Sequence, residues 1–257
     1  MRFASLGSGS EGNALVVELP QQDGFLLVDC GFALKEAARR LARLGLALSG
    51  LRAILVTHEH SDHVGGVFRL AAAAAVPVYL TYGTREGSRR LPTFSAEACQ
   101  LITPDQPVEI HGLGVTPFPV PHDAREPVQF VFEDRVSRLG LLTDIGRSTP
   151  HVIGALTGLS ALVLEANHDR TLLAEGRYPP SLKRRIGGDF GHLENHAAAG
   201  ILESLDRSRL RTVVAAHLSR HNNRADLARR ALAGVLACAP ESIPVADQDH
   251  GLDWQDA

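Results

Sequence analysis

The segment ILVTHEHSDHVGG, from Ile54 to Gly66, is the strongest constraint on how this chain folds. An apolar run leads directly into His58, His60, Asp62 and His63, and two glycines follow. Side chains alternate along an extended segment, so His58 and His60 project to one side while Glu59 points away and is no ligand. Asp62 and His63 fall where the strand should give way to a helix, and they can point together toward a second position. Two ligand pairs on one strand-to-helix turn suit two adjacent divalent ions, which at ~3.5–4 Å separation activate a shared water. Imidazole and carboxylate fit Zn²⁺, with Mn²⁺ or Fe²⁺ as alternatives. A lone histidine is usually structural or exposed. Three within six positions, beside an aspartate, imply a metal site.

The surroundings of this turn read as alternating strands and helices. Ten short apolar runs, rich in β-branched residues and flanked by Gly, Pro or Asp, are expected strands: RFASL, ALVVEL, FLLVDC, AILVTH, VPVYL, VTPFPV, VQFVF, VSRLGLLTD, LSALVLEA and RTVVAAHL. Helical spacing appears over Ala33–Leu44, Val64–Ala75, Ser181–Ile186, His196–Leu205 and Ala225–Ala237, with Asn195 as the expected cap of the fourth. Phe132–Val136 reads as a hairpin turn. Several strands follow one another without a crossover helix, which favours a layered α/β arrangement of two packed sheets with outer helices over a regular barrel. A single domain over 1–257 is expected.

Composition narrows the setting. No apolar run approaches the ~20 residues of a membrane span, and MRFASLGSGSEGN breaks into glycines where a signal peptide would stay apolar. Cys30, Cys99 and Cys238 are too few and too scattered for a disulfide framework or a CxxC zinc site; a reducing cytoplasm is the expected location. The net charge of -3 argues against a general polyanion binder. It hides an asymmetry, because Arg177–Arg230 carries eleven Lys/Arg against five Asp/Glu. A basic region on an acidic protein suits an anionic substrate, although solvated helix faces explain single arginines equally well.

The spacing His-x-His-x-Asp-His resembles the signature of the metallo-β-lactamase fold superfamily, whose members are αββα sandwiches with a dinuclear site at one edge of the sheets. The resemblance extends along most of the chain. It implies that His58, His60 and His122 (in FPVPHDA) hold one ion, that Asp62, His63 and His217 (in VVAAHLS) hold the other, and that Asp144 (in LGLLTDIG) bridges them. Asp29, in LLVDCG, resembles the aspartate that supports ligand histidines from behind; on its own it could be an ordinary strand-end residue. Asp62 resembles phosphodiesterases and glyoxalase II more than true β-lactamases, which makes antibiotic hydrolysis an unfavoured reading.

Two features point to phosphorus chemistry. Glu165 (LVLEANHD) and His192 (GDFGHLENH) are laid out as in tRNase Z, where such a pair supports protonation of the leaving group; a carboxylate on an imidazole raises its proton affinity and fixes its orientation. Between them SLKRRI supplies Lys183, Arg184 and Arg185, of which one or two can face a phosphate at helical spacing. FASLGSGSEGNALVVE, VPHDA, LEANHD, YPPSLKRRI, GHLEN and AHLSRHNN are similar to the YycJ/WalJ group of small bacterial members, which are associated with exonuclease-like activity on DNA. That similarity adds Ser8, Asn13, Asn167, His168, Asn195, Asn222 and Asn223 as residues lining the cleft. GSGSEGN itself is either a tight turn or a loop whose N–H groups approach a phosphate. Glu194 stands where the group commonly has serine, and a carboxylate beside His192 could disfavour an anionic substrate or raise the pKa of His192. The expectation is a dinuclear metal-dependent hydrolase, foremost a phosphodiesterase or exodeoxyribonuclease-like nuclease on DNA or RNA ends. The alternatives are a glyoxalase II-like thioester or ester hydrolase and a small cyclic phosphodiesterase.

Overall fold

The computed structural model describes residues 1–20 and 24–257. One mixed sheet contains β1 (Arg2–Gly7), β2 (Ala14–Glu18), β3 (Phe25–Val28), β4 (Leu51–Leu55), β5 (Val78–Leu80), β6 (Cys99–Leu101) and β13 (Leu252–Asp256), in the order β13-β1-β2-β3-β4-β5-β6. The second contains β7 (Val108–Ile110), β8 (Leu113–Pro119), β9 (Val128–Glu133), β10 (Arg138–Leu142), β11 (Ala161–Glu165) and β12 (Thr212–Ala216), in the order β12-β11-β10-β9-β8-β7. Each sheet switches from antiparallel to parallel pairing partway across: β3-β4-β5-β6 are parallel in the first, β10-β11-β12 in the second.

The apolar runs are continuous because both faces of each sheet are covered. In β3, Leu26 and Val28 pack between the sheets, whereas Phe25 and Leu27 face the outer helices α1 (Leu34–Arg43) and α3 (Val67–Ala74). In β11, Ala161 and Val163 point inward, while Leu162 and Leu164 meet an outer layer with α5 (Pro150–Ala155), α8 (Asn195–Ser204) and α9 (Ala225–Leu236). Full burial of such a side chain contributes roughly 1.5–3 kcal/mol. The result is the four-layered αββα sandwich expected from the sequence.

All ten expected strands form, and the turn at Phe132–Val136 is closed by Asp134, whose Oδ1 accepts from Val136 N and Ser137 N at 2.8 and 2.7 Å. The expected helix over 64–75 forms as α3 alone, while Val64 closes a separate short helix, α2 (Ser61–Val64). Gly66 between them donates to Cys30 O at 2.7 Å and lies so close to Phe32 that a Cβ there would sit 1.8 Å from its carbonyl oxygen. The cap of α8 is Glu194 rather than Asn195: its carboxylate accepts from His196 N at 3.1 Å, with Arg170 3.7 Å from its other oxygen. Glu194 thus serves the helix end. The strands β6, β7 and β13 and the short helices α4 (Tyr82–Ser88), α5 and α6 (Arg170–Glu175) were not expected. Among the described residues no helix is long and apolar enough to cross a membrane.

Candidate metal centre and cleft

Strands of both sheets end on the same side, and the residues at or just beyond those ends turn toward one another. Asp29 follows β3, His58 follows β4, His122 follows β8, Asp144 follows β10, Glu165 closes β11 and His217 follows β12. The carboxyl ends of parallel strands are where open α/β sheets collect ligands. Asp29, Asp144 and His217 hold positive φ angles of 61, 52 and 55°. Such a backbone costs about 1–3 kcal/mol, less for Asp and His than for bulkier residues. Among the described residues, three of the seven non-glycine residues with positive φ are therefore bends that swing these side chains off their strands and into the centre.

Two groups of donor atoms converge there. Nδ1 of His60 lies 3.0 Å from Nε2 of His58 and 3.3 Å from Nε2 of His122. Asp62 Oδ2 lies 3.5 Å from His63 Nε2 and 3.9 Å from His217 Nε2. Asp144 borders both groups: its Oδ2 lies 3.3 Å from His63 Nε2 and its Oδ1 3.5 Å from His217 Nε2, both of the second group, and it has an oxygen within 4.8 Å of a ring nitrogen of His58, in the first. These groups bring together the residues that the sequence assigns to two ligand sets, with Asp144 beside them. Glu59 does point away: it accepts from Arg125 N at 3.0 Å and packs against Gly87.

Each ring is held from its far side. Asp29 accepts from Thr57 N at 2.9 Å, from Thr57 Oγ1 at 2.8 Å and from His63 Nδ1 at 2.8 Å. Thr57 Oγ1 also lies 3.0 Å from His58 Nδ1. His122 Nδ1 donates to Gly191 O at 3.1 Å, and His60 Nε2 reaches Asp123 O at 3.2 Å. His60 thus presents Nδ1 to the centre and the other histidines present Nε2. Such outer contacts set tautomer and ring angle. Thr57, which reads in the sequence as one more strand residue, joins Asp29 to both His58 and His63. Thr57→Val is expected to weaken metal affinity by roughly 10–100-fold with little change in fold, measured by competition with a chromogenic chelator. Unchanged affinity would remove Thr57 from the network.

The donor set fits divalent cations. Asp144 Oδ2 and His217 Nε2 are buried with no hydrogen-bond partner among the described residues, a costly state without a compensating ligand. Burial would raise the Asp144 carboxyl, but the imidazoles of His217, His63, His58 and His122 hold it well below the usual carboxylate range. Burial opposes a proton on His217, yet the neighbouring carboxylates of Asp144, Asp62 and Glu165 carry its pKa up to about 10. A cation competes with such protons, so metal binding at these residues is coupled to proton release.

Glu165 is fully buried and engaged on both oxygens. Oε1 accepts from His192 Nδ1 at 2.8 Å and from His217 Nδ1 at 3.2 Å; Oε2 accepts from Ile145 N at 3.0 Å and Leu193 N at 3.4 Å. One carboxylate therefore orients both a metal-facing imidazole and His192, whereas the sequence suggested only the second. Burial disfavours a proton on His192, but Glu165 outweighs it and raises the pKa.

A cleft of about 330 Å³ opens beside these residues, lined by Ser10, Ser61, Asp123, Leu182, Arg185 and Ile186 together with His60, Asp62, Asp144, His192 and His217. Several residues expected to line it are instead built into the protein beneath. Ser8 accepts from His217 N at 2.9 Å, and Asn167 donates to His217 O at 2.9 Å. Asn13 closes its own loop onto Gly9, with its amide nitrogen 3.1 Å from His63 Nε2. Asn195 and Asn223 exchange side-chain hydrogen bonds at 3.0 and 2.9 Å, and Asn223 also donates to Ala166 O. Asn222 is tied to Ser219, and His168 is buried with Nδ1 unpartnered among the described residues. Most of these amides and hydroxyls are engaged by buried backbone groups or by one another rather than presented to the cleft. In α7 (Pro180–Ile186), Lys183 turns back to Ala174 O at 2.6 Å and Arg184 does not line the cleft; Arg185 does, paired with Asp123 at 2.5 Å.

Known proteins share this family and fold. The family described as "Beta-lactamase superfamily domain" matches residues 25–218. The chain is 36% identical to "Exodeoxyribonuclease YycJ" of Bacillus anthracis over 98% of its length and 96% of that protein. It is 32% identical to "Exodeoxyribonuclease WalJ" of Streptococcus pneumoniae, covering 95% of this chain and 91% of the relative. The crystal structure of the metallo-beta-lactamase fold protein YhfI from Bacillus subtilis superposes with a TM-score of 0.74 at 16% identity, covering 99% of each chain.

Proposed function

Because this chain belongs to the beta-lactamase superfamily, and within it to the family of YycJ and WalJ, we propose that this metal-dependent hydrolase is a phosphodiesterase that acts on nucleic-acid ends. The observation that carries the proposal is His192, held on Glu165 at 2.8 Å and with a side chain 24% exposed at the cleft. His58, His60 and His122 would hold one divalent ion, Asp62, His63 and His217 a second, and Asp144 both. When bound, such ions would supply Lewis acidity and make a water more acidic.

The chain's own residues do the rest. Glu165 accepts a hydrogen bond from Nδ1–H of His192 and holds that proton in place, which leaves the Nε2 proton as the one available to a leaving oxygen. The raised pKa keeps that proton in place until the phosphorus–oxygen bond breaks. Arg185 is a cationic side chain at the cleft; Asp123 engages its Nε, which leaves its terminal nitrogens to meet non-bridging phosphate oxygens. A thiolate needs no proton to depart, so a thioester hydrolase would have little use for His192. The names of YycJ and WalJ support DNA as the substrate.

His192→Ala is expected to lower turnover of an end-labelled oligonucleotide by roughly 10²–10⁴-fold, and to slow bis-nitrophenyl phosphate, with its good leaving group, far less. Equal losses on both would discard the acid role. Hydrolysis of a glutathione thioester with no cleavage of single- or double-stranded DNA or RNA would discard the phosphodiesterase.

A further inference from the structure

The GSGSEGN loop is unusually well tied down. Ser8 N donates to Asp247 O, Gly9 N to Asn13 Oδ1, Gly12 N to Gly9 O and Asn13 N to Asp62 O. Glu11 N donates to Gln248 Oε1 at 2.8 Å, and Gln248 Nε2 returns a hydrogen bond to Gly12 O at 2.8 Å. The loop has no slack at its glycines either: a Cβ on Gly9 would sit 2.6 Å from Gln248 Oε1 and one on Gly12 2.7 Å from the Phe32 ring.

This leaves one amide over. Among the described residues, Ser10 is the only residue from Ser8 to Asn13 whose N–H has no partner, and its hydroxyl has none. Ser10 is exposed and lines the cleft with Asp62, His192, His217 and Arg185. Backbone N–H groups are obligatory donors, and one held rigidly at a cleft is satisfied by whatever enters. The lining is otherwise rich in carboxylates, from Asp62, Asp123 and Asp144, and Asp123 already occupies Arg185. An anion there gains most from donors that carry no opposing partner.

We propose that Ser10 is a phosphate-binding residue of the cleft, donating its N–H and its hydroxyl to non-bridging oxygens of a phosphate ester. The inference rests on the phosphodiesterase reading for its substrate class, but its test does not require turnover. Inorganic phosphate is titrated calorimetrically into the Zn²⁺-loaded protein, with metal content measured for every variant. Ser10→Pro removes the N–H at a turn position where Pro is favoured, and Ser10→Ala removes only the hydroxyl. Hydrogen bonds to charged groups of this kind predict a loss of about tenfold or more for the Pro variant, and a smaller one for Ala. Both variants should keep the wild-type metal content, since the side chain of Ser10 holds none of the ligands. Wild-type phosphate affinity in Ser10→Pro overturns the proposal, as does a wild-type protein that binds no phosphate. The phosphodiesterase reading fails on a different result, thioester cleavage without phosphodiester cleavage in the wild type.

Discussion

Asp144→Asn is expected to abolish hydrolysis while leaving the fold intact. The carboxylate is 2% exposed, bends off its strand at a φ of 52°, and sits 3.3 Å from His63 Nε2 and 3.5 Å from His217 Nε2. An amide of the same shape keeps the packing but removes a buried negative charge that faces imidazoles of both donor groups. It also turns one of the two carboxylate oxygens into a nitrogen whose hydrogens repel a cation. Losing several kcal/mol of charge stabilisation corresponds to a thousandfold or more in rate, roughly. Metal analysis should find fewer than two ions per chain, and circular dichroism should be unchanged. Two retained ions with turnover within about tenfold of wild type would show that Asp144 does not bridge.

How much of this was legible in the sequence depends on what marks each residue. Asp29, His58, Asp144, Glu165 and His217 are readable because an apolar strand stops at each of them. A polar group at the end of a doubly buried strand has few other reasons to be there. The helix α7 was located, but not the face that meets the cleft. Successive residues in a helix lie about 100° apart, so over seven residues no apolar stripe distinguishes Arg185 from Lys183 and Arg184. The asparagines failed for another reason. A motif such as AHLSRHNN says that Asn222 and Asn223 belong near His217, and they do, but a buried amide tied to Ser219 or Ala166 O spells the same way as one facing solvent. Thr57 was hidden by its own β-branching, which makes it a good strand residue whatever its hydroxyl touches. The edge strands β6, β7 and β13 bury too little to show an alternating pattern; β13 has no fully buried residue.

Glu165→Gln is expected to damage both halves of the centre at once, and more severely than removal of His192. As a carboxylate, Glu165 accepts four hydrogen bonds, two from imidazoles on Oε1 and two from the backbone on Oε2. A glutamine has one acceptor and one donor. If its oxygen faces His192 and His217, its NH₂ meets the N–H groups of Ile145 and Leu193. If it flips, the NH₂ confronts both imidazole Nδ1 atoms. Either way two donors in a fully buried position lose their acceptor, at about 1–3 kcal/mol apiece. In the first orientation the backbone at Ile145, next to Asp144, must give way; in the second the rings of His192 and His217 lose their hold. Stability, metal content and turnover should therefore all fall, whereas His192→Ala should lower turnover alone. Denaturant melts and metal analysis of the two variants separate these patterns. A Glu165→Gln protein with wild-type stability and both ions bound would mean that His217 does not depend on Glu165, and that the carboxylate serves His192 only.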